Sequence, residues 1–169
     1  MGEYSKALEY FQKALEIREK SLPSNHPDMV TIYSSIGSVH VKMEQYLKAL
    51  EFYQKVLEIQ QKTLSLDDHN LAITYHNIAL THYNMEEHSK ALEFFKKTLE
   101  IREKSLPPNH PDMAALYYYI GSVYHHMKED SIALSFFERA VEIGQLSLPE
   151  NDSNLELYRQ HLHELQHGL

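Results

Sequence analysis

The amino-acid sequence predicts an all-α fold, a solenoid of about eight antiparallel helices built as helix-turn-helix repeats. Three observations predict it: a 42-residue period along the chain, apolar residues at three- and four-residue spacings within each period, and proline, asparagine and aspartate at the joints. Glu3–Glu44 and Glu87–Lys128 agree at 28 of 42 positions without a gap, and Gln45–Glu86 keeps the same skeleton between them. The shared columns include Ala7, Ala49, Ala91 and Ala133; Ile17, Ile59, Ile101 and Ile143; and Met43, Met85 and Met127.

Taken in order, the chain opens on a helix of the second type over residues 3–22. Three repeats follow, at 27–64, 69–106 and 111–148, and a terminal cap helix covers 153–167. Within the first repeat, Met29, Tyr33, Ile36, Gly37 and His40 space a first-type helix, and Ala49, Leu50, Tyr53, Leu57 and Ile59 a second-type one. Asn25-His26-Pro27-Asp28 marks a helix start, with proline at the first helical position and an acid near the positive end. Asn109-His110-Pro111-Asp112 repeats that start, whereas the 66–69 and 150–153 stretches use aspartate caps. Pro23, Pro107-Pro108 and Pro149 close the second-type helices, because proline lacks the amide a helix needs. Gly37, Ala79 and Gly121 are expected at helix crossings, facing Ala49, Ala91 and Ala133. In the last helix, Arg159, Leu162, His163 and Gln166 replace the signature residues, which reads as a polar terminal cap. The C-terminus is therefore expected to be natural, and the N-terminus to be cut from a longer array.

Tyr33-x2-Ile36-Gly37-x2-His40 followed by Ala49-x3-Tyr53-x2-Val56 resembles the tetratricopeptide repeat signature. It recurs as Tyr75, Ile78, Ala79, His82, Ala91, Phe95, Thr98 and as Tyr117, Ile120, Gly121, Tyr124, Ala133, Phe137, Ala140. The long period and the run at residues 14–20 are similar to the 42-residue class found in kinesin light chain and nephrocystin-type arrays. The resemblance implies a right-handed solenoid and a non-enzymatic protein-interaction scaffold, with a self-assembling repeat module as the alternative. It also implies a concave groove lined by five positions of each first-type helix. These are Thr31, Ser34, Ser38, Val41 and Lys42, then Ile73, His76, Leu80, Tyr83 and Asn84, then Ala115, Tyr118, Ser122, His125 and His126. Four of the 14 differences between the first and third copies fall on these five positions. Chaperone-tail-binding repeats clamp a terminal carboxylate with Lys and Asn, and the Ser34, Ser38, His76 and Tyr118 found here depart from that pattern. Lys42 is the groove's one obligate cation in the sequence, so an extended peptide with apolar anchors is the expected ligand.

Composition excludes other classes. Sixteen Lys and Arg against 24 Asp and Glu give a net charge of −8, the wrong sign for a phosphate backbone or an anionic membrane. No apolar run is long enough to span a bilayer and no signal-peptide pattern opens the chain, so a cytoplasmic location is expected. Cysteine is absent, which removes disulfides and thiol chemistry. Glycine numbers five, with no phosphate-cradling loop, and neither a cofactor nor enzymatic activity is expected. His163-Glu164-Leu165-Gln166-His167 matches the H-E-x-x-H zinc-protease pattern, but a catalytic zinc needs a third protein ligand and a cleft. The motif is therefore read as a chance match able at most to hold an adventitious metal ion. Finally, Tyr4, Ala7, Leu8 and Phe11 of the unpaired opening helix are expected to form an apolar strip that supports a weak homodimer.

Overall fold

The computed structural model describes residues 2–66 and 68–168. Among them are eight α-helices and no strand: α1 (Gly2–Glu19), α2 (Val30–Lys42), α3 (Tyr46–Thr63), α4 (His69–Asn84), α5 (His88–Ser105), α6 (Pro111–His126), α7 (Asp130–Ser147) and α8 (Ser153–His167). They gather into two compact units, Met1–Glu87 and His88–Leu169.

In the first unit α2 packs against both α1 and α3, and α3 against α4. Met29, Ile32, Tyr33 and Ile36 form the core with Val56 and Ile59 of α3, flanked by Leu8, Phe11, Ala14 and Leu15 of α1. The Lys55 ammonium lies 5.2 Å from the Tyr33 ring and 5.1 Å from Phe52, covering the edge of this core with its apolar stem. In the second unit α6 packs on α5 and α7, and α7 on α8. Met113, Ala114, Tyr118, Ala133, Phe137, Ala140, Val141, Ile143 and Tyr158 form its core.

The first-type helices start as their caps dictate. Asp68 Oδ1 accepts from the Asn70 amide at 2.8 Å, and Asp152 Oδ1 from Asn154 at 2.8 Å and Leu155 at 3.3 Å. In the proline-started copies the cap is a histidine: Nδ1 of His26 and of His110 accepts from the amide two residues on, each at 3.2 Å. Pro27–Met29 forms a 3-10 turn before α2, whereas Pro111 enters the α-helix directly. A second device ties the second-type helices α1, α3 and α5 to the next start. Arg18 donates to the Asp28 carbonyl. Arg102, 5% exposed, does the same to Asp112 at 3.0 Å, and Gln60 reaches the Asn70 carbonyl at 3.3 Å while accepting from Thr74 Oγ1 at 2.7 Å.

The turns from first- to second-type helix share one conformation. Glu44, Glu86 and Lys128 stand in left-handed backbone, with φ of 58°, 59° and 65°. Each lets the following amide reach back to the helix: Gln45 to His40, Glu87 to His82 and Glu129 to Tyr124, all at 2.9 Å. Side chains second this closure where His40 Nδ1 meets Gln45 Oε1 at 2.8 Å and His82 Nδ1 meets Glu87 Oε2 at 2.6 Å.

The glycine crossings differ from the expectation in their neighbour. A Cβ added to Gly37 would lie 2.8 Å from Tyr53 Cε1, and one added to Gly121 would lie 2.8 Å from Phe137 Cδ1. The small residue accommodates an aromatic ring one helical turn beyond Ala49 or Ala133. Those alanines, fully buried, line the same interface without being the contact that forbids a side chain.

Candidate functional site

The groove positions expected on α2 lie on the face the core leaves open. Thr31, Ser38 and Lys42 are exposed and Ser34 and Val41 half-buried, while Ile32, Tyr33, Ile36, Gly37 and His40 are buried. Ser38 Oγ is 3.1 Å from the Tyr53 hydroxyl. Burial pushes the Tyr53 phenol up, and the Ser38 hydrogen bond pulls the other way. On α4, Ile73 and Asn84 are exposed and His76, Leu80 and Tyr83 half-buried. Two helices thus present hydroxyls, an imidazole and apolar side chains.

A pocket of about 320 Å³ opens beside the end of α2, lined by Tyr4, Ser5, Lys42, Met43, Glu44 and Gln45. It joins Lys42, expected in the groove, to Tyr4, expected in the self-association strip. Ser5, Met43, Glu44 and Gln45 were not legible as site residues. The in-register Met43 column was legible, but the left-handed backbone of Glu44 beside it, at the pocket wall, needs the fold.

On α6, Ala115 is half-buried and His125 and His126 exposed. His125 Nδ1 is 2.7 Å from Asp130 Oδ1, and the His126 ring stacks on His88 with centroids 5.1 Å apart. Tyr118 and Ser122 are corrections to the groove: both are buried, at 9% and 5% exposure. Tyr118 stacks on Tyr158 at 4.8 Å and its hydroxyl bonds His161 Nδ1 at 3.0 Å, because α8 brings both rings over it. Ser122 Oγ donates to the Tyr118 carbonyl at 3.0 Å.

The opening helix also departs from its expected strip. Leu8 and Phe11 pack against the α2 core and Ala7 is half-buried, leaving Tyr4 as the exposed member. The large apolar residues that α1 turns to solvent are Tyr10, 72% exposed, and Ile17, 67% exposed. In the H-E-x-x-H segment the His163 and His167 rings stack at 4.2 Å, and His167 Nδ1 donates to the His163 carbonyl at 2.9 Å. Among the described residues no group of three His, Cys, Asp or Glu is placed to hold a metal ion. No helix among them is long and apolar enough to cross a membrane.

Comparison with known proteins adds a family and a fold. The tetratricopeptide repeat family model matches residues 1–62, 28–104 and 70–145. Solved structures similar to this chain include the nearly identical TPR-like repeats of a Podosopora anserina chain assigned as a kinesin light chain. That chain is 21% identical with a TM-score of 0.82, over 98% of this chain and 79% of the other. BtubC (BKLC) from P. vanneervenii matches at 23% identity and a TM-score of 0.85, over 98% of this chain and 66% of its own. The apo form of RapI matches at 19% identity and a TM-score of 0.82, over 98% of this chain and 58% of its own. No curated protein matches the chain.

Proposed function

Because the chain belongs to the tetratricopeptide repeat family, whose members generally act as protein-interaction scaffolds, we propose that it binds an extended segment of a partner protein along the open face of α2 and α4. The observation that carries this reading is the division of α2: its core columns are buried while Thr31, Ser38 and Lys42 stay accessible. Ile73, Leu80 and Tyr83 supply apolar contact area, and Thr31, Ser34, Ser38 and Asn84 supply donors and acceptors for peptide backbone. Lys42 selects for an acidic or carbonyl-rich neighbour at the pocket it shares with Tyr4 and Met43. In the second unit, α6 offers Ala115, His125 and His126 to the same kind of ligand. An ordered peptide loses considerable chain entropy, so binding through this modest surface falls at roughly 1–100 μM.

Peptides selected by display against the whole chain, followed by calorimetry, test the reading. Lys42→Glu and Ile73→Asp should each weaken the selected peptides by about tenfold or more, the loss expected of an interface anchor. Peptides that bind equally well to both variants would place the binding surface elsewhere.

A further inference from the structure

The two histidines of the H-E-x-x-H segment depart from the repeat. Their columns hold Gly37 and Val41 in α2, Ala79 and Tyr83 in α4, and Gly121 and His125 in α6. Only α8 places histidine in both, four residues apart and therefore on one helical face. The His163 and His167 rings lie with centroids 4.2 Å apart and planes inclined by 20°. Both residues are exposed, so an ion and its waters can reach them.

We propose that His163 and His167 form a two-histidine chelate for a divalent transition-metal ion of the Zn²⁺, Ni²⁺ and Cu²⁺ class, and that the bound ion clamps the last turn of α8. The tautomer is the first support. His167 Nδ1 donates to the His163 carbonyl at 2.9 Å. A neutral ring held in this way keeps its lone pair on Nε2, and a carbonyl behind the ring is a usual outer partner of a metal-bound imidazole. Separation is the second. Zinc lies about 2.0–2.1 Å from each imidazole nitrogen, so two nitrogens on one ion stand within about 4.2 Å of each other. The rings are already stacked at that distance, and small side-chain rotations bring both nitrogens to a shared ion. Donor chemistry sets the class, since imidazole suits borderline transition ions whereas Ca²⁺ and Mg²⁺ take oxygen ligands.

Neighbouring groups are engaged elsewhere. Glu164 accepts from Gln160 Nε2 at 2.7 Å, and His161 Nδ1 meets the Tyr118 hydroxyl at 3.0 Å. The ion's other positions fall to water, so the site holds a metal without the third protein ligand that zinc hydrolysis uses. Its consequence is mechanical. The ion ties together the two ends of the last turn of α8, downstream of Tyr158 and His161, whose rings cover Tyr118. An ion that binds only the helical form stabilises that turn in step with its occupancy.

Calorimetric titration of the tag-free whole chain with Zn²⁺ tests the site. About one ion per chain is expected. His163→Gln or His167→Gln should each weaken binding by about tenfold or more, and His69→Gln, on another helix, should leave it unchanged. With Zn²⁺ at about ten times its dissociation constant, amide exchange in the last turn of α8 should slow by about tenfold, and Mg²⁺ at the same concentration should not slow it. Undiminished zinc binding in the His163→Gln, His167→Gln double variant would mean adventitious ions on other side chains and would overturn the proposal. So would bound zinc that leaves exchange in α8 unchanged. Half an ion per chain with a doubled mass would also overturn it, since the ion would then bridge two copies rather than one helical turn.

Discussion

Gly121 offers the sharpest test of how the repeats are held together. In an open helix, glycine to alanine gains about 1 kcal/mol from backbone entropy. Here the added Cβ would stand 2.8 Å from Phe137 Cδ1, 2.9 Å from Cε1 and 3.2 Å from Phe136 Cβ. The Phe137 ring has little room to yield: it is 2% exposed, 5.7 Å from the Tyr118 ring and 6.0 Å from His161. Overpacking a rigid site costs about 1–3 kcal/mol, so Gly121→Ala should be neutral to about 2 kcal/mol destabilising despite its better propensity. Gly121→Leu drives three further carbons into the same space and should cost about 3 kcal/mol or more. Gly144 is an internal control, since its added Cβ meets first a Leu155 methyl at 3.0 Å and then nothing closer than 3.6 Å. A terminal methyl yields more readily than a ring, so Gly144→Ala should be the milder change. Thr31→Ala, on the exposed face, should stay within about 0.5 kcal/mol. Urea denaturation followed by far-UV circular dichroism, with the slope checked for constancy, reads all four. A Gly121→Ala protein about 1 kcal/mol more stable than the parent would refute the close-approach argument.

Replacing Glu44, Glu86 or Lys128 with glycine should stabilise the chain by about 0.5 kcal/mol each, because left-handed backbone costs an L-residue about 1–2 kcal/mol and glycine's larger unfolded entropy offsets part of the gain. A fall in the denaturation midpoint would contradict this. Arg102→Leu should lose about 1–3 kcal/mol by leaving the Asp112 carbonyl without its donor, and Arg102→Gln should recover part of that, as Gln60 performs the same task in its copy; equal losses for the two would count against it. Burial, reinforced by Tyr119, Asp152 and Tyr118, pushes the Tyr158 phenol from 10.0 up to about 12. The folded state therefore holds that proton more tightly than the unfolded chain, so its stabilisation is complete below pH 10 and is lost as pH rises towards 12. Tyr33, Tyr53 and Tyr117 shift in the same direction. Denaturation midpoints measured across that range should fall, and Tyr158→Phe should flatten the fall; an unchanged pH dependence in the variant would exclude Tyr158 as its source.

The repeat period, the existence of every helix and the aspartate caps were legible in the sequence because they rest on local physics. Spacing sets which residues share a helix face, and a cap acts on an amide two residues away. The histidine caps were half legible: the Asn25–Asp28 stretch marked the start, but which side chain turns towards the Asp28 amide is a matter of backbone geometry. The exposure of Thr31, Ser38 and Lys42, three of the positions expected in a groove, was legible from the spacing of the core columns on the same helix. The expected exposure failed at Tyr118, whose cover, His161, lies 43 residues downstream. The open strip of α1 was misread for a related reason. A second-type helix in a repeat array is apolar on two sides, and periodicity cannot say which side α2 takes. Tertiary packing assigned Leu8 and Phe11 to α2 and left Tyr10 and Ile17 exposed, because covering a helix face is a property of its neighbour and is written in another segment of the chain.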